Sequence, residues 1–418
     1  MITSSTRHGG PAHPGMGFRQ FVGFVAALMA VNALGIDIML PALPAMSDAL
    51  GITIENQRQF IIAAYVFGFG AAQLAYGPLS DRVGRRPVLL VSLTLFALAS
   101  VAATFATNFA TIIAARLIQG IVAASSRVLA ISIVRDCYSG RQMARVMSLS
   151  FIVFLAVPIL APSIGQIILL AGPWPWIFYF LGAFALTVVL WGFFRLPETL
   201  HADYRRPIAV QSILAAAREV VTNRYALGYT LATSLLMGGL MGYINSVQQI
   251  FTDVFHRPAI FTTVFAATAG TMAVGSFFNS QIVERLGTRL VSHTALLAFI
   301  AISGLHLAMA ASGHETVLSF AVLLAGTMGC FALATSNFGS MAMEPVGHIA
   351  GTASSMQGFL STTAGALVGL GIGQSFDGTT VPVAAGFFLT GCLSLIVVFV
   401  VERGQLFRPH NAPVGVTA

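Results

Sequence analysis

The sequence predicts an all-α membrane protein with twelve transmembrane helices in two pseudo-symmetric six-helix bundles. Three observations lead there. The 418-residue chain is 56% hydrophobic and 8% charged, with a mean hydropathy of +0.85; a soluble domain carries about 25% charged residues. Apolar runs of bilayer-crossing length recur along the whole chain. Residues 80–87 (SDRVGRRP) are echoed by residues 283–290 (VERLGTRL), about half a chain later. The echo pairs Asp81 with Glu284, Arg82 with Arg285, Gly84 with Gly287 and Arg86 with Arg289.

The runs give spans near 19–41, 57–77, 87–106, 108–134, 142–170 and 174–195. A second set falls near 224–250, 259–282, 288–311, 315–339, 347–376 and 380–401. The longest polar segment, RLPETLHADYRRPIAVQSILAAAREVVTNR, separates the sets six from six. Helical apolar spacing from Ile208 to Val221 predicts a helix lying on the membrane surface. The expected organisation is a cytoplasmic tail (1–18), an N-terminal bundle (19–200), a linker (201–223), a C-terminal bundle (224–402) and a cytoplasmic tail (403–418). The first span is long and has no clear cleavage site, so it reads as retained rather than as a signal peptide.

The charges set an orientation. All 21 basic residues are arginine. With the N-terminus in the cytoplasm, seventeen arginines fall on the cytoplasmic side, and only Arg58 and Arg257 fall outside. Arg116 and Arg127 lie inside the fourth span. The net charge of +7 is spread over short loops, with no basic face for nucleic acid.

Several chemistries are excluded or disfavoured. Without lysine there is no Walker A phosphate loop and no Schiff-base centre. Cys137, Cys330 and Cys392 are far apart in sequence, and the nine histidines form no HExxH pattern, so no metal or cofactor is expected. No GxSxG or nucleophile–base pair supports a membrane hydrolase. Two equivalent halves suit a rocking carrier better than a gated channel, with the substrate between the halves near mid-membrane.

The densest charge in the first half lies in GPLSDRVGRRP, residues 77–87. Gly77 and Gly84 would permit a tight turn, and Pro78 and Pro87 discourage helix continuation. The stretch resembles motif A of the major facilitator superfamily. GIDIMLPALP (35–44), RLIQG (116–120), PILAPSIGQ (158–166) and LPETL (196–200) resemble further motifs of its twelve-span drug:proton antiporters. HIAGTASSM (348–356) is similar to the eleventh helix of the bicyclomycin/chloramphenicol-resistance branch. Two departures stand out: motif C ends Gly165-Gln166, and mid-span one holds Met29 and Asn32 rather than a further acid. The resemblance implies a conformational latch of Gly77, Asp81, Arg82, Gly84, Arg85, Arg86 and Asp136. Asp81 would accept from a helix N-terminus of the other half, Arg85 or Arg86 would pair with Asp136, and the contacts would hold the outward-facing state.

Inside the membrane, Asp37 is the one acid well embedded in the first half. Buried carboxylates are costly and often exchange protons. Arg116, about 12 Å inward along span four at ~1.5 Å per residue, is its expected partner. Arg127 follows eleven residues later on nearly the same face, with Gly120 and Ala123 between, so the two arginines are expected to line one groove. Pro158, Ala161, Pro162 and Gly165 of span five form a small face, expected to pack on Ala267, Gly270, Thr271, Val274 and Gly275 of span eight. GLGIG (369–373) reads as packing, since it follows no strand. Expected substrate-site residues are Asn32, Tyr65, Arg116, Gln119, Arg127, Tyr243, Asn245 and Gln248. Gln73, Asn337 and Gln357 are further polar candidates.

The sequence thus reads as a non-enzymatic, proton-coupled exporter of small organic molecules working by alternating access. The alternative is an organic-anion or metabolite transporter on the same fold. The expected setting is a monomer in a bacterial inner membrane, both termini cytoplasmic, with substrate, protons and lipid as its partners.

Overall fold

The computed structural model describes residues 15–138, 140–201 and 210–408. The proposed tails before residue 15 and after residue 408, with Arg7, lie outside that range, as do linker residues 202–209, with Arg205 and Arg206. Among the described residues there are no strands and twelve helices of nineteen residues or more.

The first half comprises α1 (Phe18–Asp37), α3 (Phe60–Val83), α4 (Arg85–Ala103), α5 (Phe109–Cys137), α6 (Gly140–Ala171) and α7 (Pro175–Arg195), with a short α2 (Leu43–Ala49) after α1. The second comprises α9 (Arg224–Gln249), α10 (Phe261–Leu286), α11 (Thr288–Ala311), α12 (Val317–Met343), α13 (Ala350–Gln374) and α14 (Val381–Val401). Ten helices are long and apolar enough to cross a membrane. The other two long ones are α6, of which residues 156–171 form a shorter apolar stretch, and α13, diluted by six glycines. Between the halves runs α8 (Val210–Thr222), within the stretch where the spacing predicts a surface helix. Its Val220 packs with Ala226, Val346 and Ala353.

Local chemistry places several helix starts. Asn108 caps α5 by accepting from the Thr111 amide at 3.0 Å, and the Thr111 hydroxyl reciprocates with the Asn108 amide. Thr316 and Ser319 do the same for α12. Asn223 accepts from two amides at the start of α9. Each satisfies amides that the first helical turn leaves unpaired.

Two helix breaks repeat between the halves. Gly84 ends α3 at φ 116°, ψ 154°, and Gly287 ends α10 at φ 79°, ψ 154°. A side chain is poorly tolerated there, so glycine, not proline, makes both corners. The expectation that Pro78 would stop the helix is overturned. α3 runs through it to Val83, and a membrane helix tolerates proline where neighbours re-satisfy the backbone. Gly77 is therefore no turn residue; it lies inside α3, facing Ser355 of α13.

Close backbone approach builds the interior. Gly120 of α5 lies against the Tyr65 carbonyl of α3, where a methyl group would collide with backbone. On α13, Gly369 lies against the Gly242 amide of α9, and Gly373 against Gln59 and Asn245. The GLGIG run is thus a packing surface. On the small face of α6, Gly165 meets a partner other than the expected one. Pro158 and Pro162 lie within the continuous helix, and Gly165 packs on the Ile38 carbonyl of its own half. Gly275 of α10 lies against the Gly329 carbonyl of α12, where a methyl group would crowd the backbone, while Gly270 has open space. α6 and α10 do touch across the halves, as expected, while Gly165 and Gly275 pack within their own halves.

Candidate functional site

Helices α3 and α13 meet along their length and bring the halves together. At the end of α3 remote from Gly84, polar side chains tie them. Arg58 donates to Asp253 at 2.8 Å from the opposite half. Gln59 Nε2 donates to Gln249 at 2.6 Å, and Gln249 donates to Asn56 at 3.0 Å. Asn56 Nδ2 reaches the carbonyls of Gln374 and Phe376 at 3.1 and 2.9 Å, and Gln374 returns a bond to the Asn56 carbonyl at 2.7 Å. Deeper in, Gln73 donates to Thr362 at 3.2 Å. This face is sealed by charge and hydrogen bonds between residues about 190 to 320 positions apart.

Asn245 and Gln248 lie on α9 beside this seal, and their contacts stay within the second half. Asn245 lies against Gly373, and Gln248 donates to Thr252 at 2.8 Å while its Oε1 lacks a partner. Tyr243 stacks on Phe265 and bonds Thr268 at 3.4 Å. In this conformation all three are buried. The expectation that they line an open site is therefore not met here.

Asp37 ends α1, is 5% exposed, and its Oδ1 has no hydrogen-bond partner. The expected Asp37–Arg116 pair is absent. Arg116 is fully buried and donates to the Ile61 carbonyl at 3.1 Å, the Gly35 carbonyl at 2.7 Å and Gln119 Oε1 at 2.9 Å. Its guanidinium sits 4.3 Å from the centre of the Tyr65 ring. Gln119 passes the chain on to Ser100 at 2.7 Å. Two carbonyls and an amide oxygen satisfy this arginine without a carboxylate. Asn32 and Tyr65 bond each other at 3.3 Å. The cluster of Asn32, Tyr65, Arg116 and Gln119 thus holds α1, α3, α4 and α5 together rather than lining a cavity.

Arg127 differs. It is exposed and makes no hydrogen bond or ion pair with other described residues. The expected groove with both arginines on its wall is corrected accordingly: the same face of α5 buries Arg116 and opens at Arg127. Asn337 bonds Asn279 at 2.7 Å and Gln357 reaches the Gly339 carbonyl at 3.5 Å, both within the second half.

At the face of the glycine corners, Arg85 is buried. Its Nε lies 3.1 Å from Asp136 Oδ2, and its Nη1 lies 2.5 Å from Asp81 and 2.6 Å from Ser80 Oγ. Thr199 donates to Asp136 at 3.2 Å. The Glu198 carboxylate accepts from the amides of Arg85 and Arg86 at 2.9 and 3.3 Å, placing negative charge at the start of α4. Arg86 donates to the Phe193 carbonyl at 2.7 Å, and Arg82 is exposed. Asp81 therefore serves Arg85 of its own half, where a contact with the opposite half was expected. Sequence reasoning missed the matching cluster of the second half. There Arg289 donates to Glu402 at 2.9 Å, Tyr229 also donates to Glu402, and His293 Nε2 lies 3.3 Å from Tyr229. Its signal was present: Arg289 matches Arg86 in the repeat, and Glu402 follows the last span as Glu198 follows the sixth. Missed too were Asn56, Gln59, Gln249, Asp253 and Gln374 of the seal. For these the one signal was Arg58, standing alone with Arg257 on the arginine-poor side.

A cavity of about 650 Å³ lies between α4 and α7, lined by Leu90, Val91, Leu95, Val189 and Phe193. It belongs to the outer flank of one half, away from the interface.

A sequence profile described as Major Facilitator Superfamily matches residues 25–370. The chain is 30% identical over 389 residues to an uncharacterised MFS-type transporter of Bacillus subtilis, covering 91% of this chain and 95% of that one. It is 28% identical to a bicyclomycin resistance protein homolog of Haemophilus influenzae, over 90% and 94% of the two chains. It is equally similar to the multidrug resistance protein MdtL of Escherichia fergusonii, over 92% and 96%. Among solved structures, the Escherichia coli xylose transporter XylE in a partially occluded inward-open conformation superposes with a TM-score of 0.71 at 12% identity, over 92% and 99% of the chains. The human organic anion transporter TETRAN gives 0.68 at 22% identity, over 92% and 100%. At these identities both likenesses concern the fold alone.

Proposed function

The chain belongs to the Major Facilitator Superfamily, and we propose that it is a proton-coupled exporter of small organic molecules from the bacterial cytoplasm across the inner membrane. The observation that carries this reading is the asymmetry of the two faces. One is closed by Arg58–Asp253 and its amide network across the halves. At the other, the charged clusters stay within their own halves. The arginine bias assigns the sealed face to the outside and the glycine corners to the cytoplasm. The arrangement is then an outward-closed carrier.

Exchange follows from two states. Opening outward breaks the Arg58–Asp253 seal and exposes Asp37, which stands buried at the end of α1. Sealing returns Asp37 to a place without a donor for Oδ1. A gained or lost proton there changes the cost of the sealed arrangement, which couples proton movement to the direction of opening. The motif A cluster latches the opposite face, with Asp81 free to change partners because its side chain is 44% exposed. The resistance-protein names of relatives support drug-like cargo, and the chain acts as a monomer with no enzymatic step. The test is export into inverted proteoliposomes from a panel of labelled drugs, with and without an imposed pH gradient. Accumulation that collapses with the gradient fits the reading; gradient-independent equilibration refutes it.

A further inference from the structure

We propose that Arg127 is an anion-recognising residue facing the interface of the halves, and that cargo carries a carboxylate or another acidic group bound by its guanidinium. The proposal deepens the exporter reading and rests on it for the word cargo. Arg127 lies eleven residues beyond Arg116, about 20° further round the helix. Arg116 points between α1 and α3, where it bonds Gly35 and Ile61. Ile118, 51% exposed, lies about 180° from Arg127, on the side of α5 away from the carbonyls that Arg116 meets. Arg127 therefore points into the gap between α1 and α3, toward the interface of the halves.

Among the described residues, no acid pairs with it. The spans of both halves hold few embedded charges. Arg116 is saturated by three acceptors, and Asp37 lies near the sealed end. The nearest acid along α5 is Asp136, about 13 Å further on at ~1.5 Å per residue and already held by Arg85 and Thr199. An arginine within a membrane span that is neither paired nor lipid-facing marks a functional site. Its planar donors fit a carboxylate, phosphate or sulfonate in a bidentate manner. A cationic drug meets like charge there.

The test reads the site without needing the natural cargo. In a protein with Cys137, Cys330 and Cys392 replaced, Ile131→Cys puts a thiol one turn beyond Arg127 at an exposed position. The anionic sulfonatoethyl methanethiosulfonate should label it about tenfold faster, relative to the cationic trimethylammonium reagent, than it does after Arg127→Gln. Arg127→Lys should keep most of the bias. 4-Nitrobenzoate should protect the thiol from neutral methyl methanethiosulfonate at about tenfold lower concentration than 4-nitrobenzamide does, and this difference should vanish in Arg127→Gln. Charge-independent labelling, or equal protection by acid and amide, overturns the proposal. Labelling requires no transport, so an exporter that shows no bias would keep the exporter reading and lose this one.

Discussion

Arg58, just before α3, and Asp253, just after α9, meet at 2.8 Å across the two halves, with the arginine side chain 8% and the aspartate 31% exposed. The pair is only partly screened, yet Asp253 keeps enough water contact that its worth stays modest. Asp253→Asn should weaken the seal by about 1 kcal/mol, shifting the closed-to-open ratio roughly fivefold. Spin-label distances across that face should lengthen, and high salt should mimic the effect in the parent protein. A charge swap, Arg58→Asp with Asp253→Arg, should recover part of the closure.

Arg116 and Asp37 should behave independently. Arg116→Ala leaves two carbonyls, Gln119 and the Tyr65 face unmatched in the interior, a loss of about 3 kcal/mol or more. Asp37→Asn should cost little stability. In a double-mutant cycle by thermal unfolding, the coupling should stay within about 0.5 kcal/mol. A coupling of several times that would restore the ion pair that the sequence led one to expect.

The two glycine corners should differ. Gly84→Ala and Gly287→Ala each force a side chain into a glycine-only region, at about 1–3 kcal/mol. At Gly287 the new methyl has open space, but at Gly84 it meets the Glu198 carboxylate that caps α4. Gly84→Ala should therefore lower the unfolding temperature more. Equal losses would mean that the Glu198 cap adds nothing.

Within the motif A cluster, Asp136→Asn should destabilise more than Asp81→Asn. Both face Arg85, but the Asp136 side chain is 15% exposed against 44% for Asp81, and Asp136 also accepts from Thr199. Removing one partner of a buried pair leaves the other uncompensated. Unfolding of the two variants under one detergent condition checks the order.

Much of this fold was legible. Length and apolarity place the long helices because a bilayer leaves few alternatives, and the echo of Gly84 at Gly287 locates both corners. The site was read less well, for a physical reason. Opposite charges at similar depth made Asp37 and Arg116 look like partners, but depth along two helices does not fix the facing side chain, and backbone carbonyls are acceptors that no sequence pattern displays. Pro78 misled because a proline marks a helix end only where water can take the freed carbonyl. The seal was invisible because Asn56, Gln59, Gln249 and Gln374 are ordinary polar residues until the halves meet.

The exporter reading requires Asp37 to carry the proton that drives export. The direct measurement is pH-gradient-driven accumulation of a transported drug in inverted vesicles, comparing the parent protein with Asp37→Asn at matched amounts of folded protein. The account predicts that the asparagine variant still binds the drug, with the pH dependence of binding gone, and accumulates none against its gradient. Proton-driven accumulation at the parental level by Asp37→Asn would contradict it.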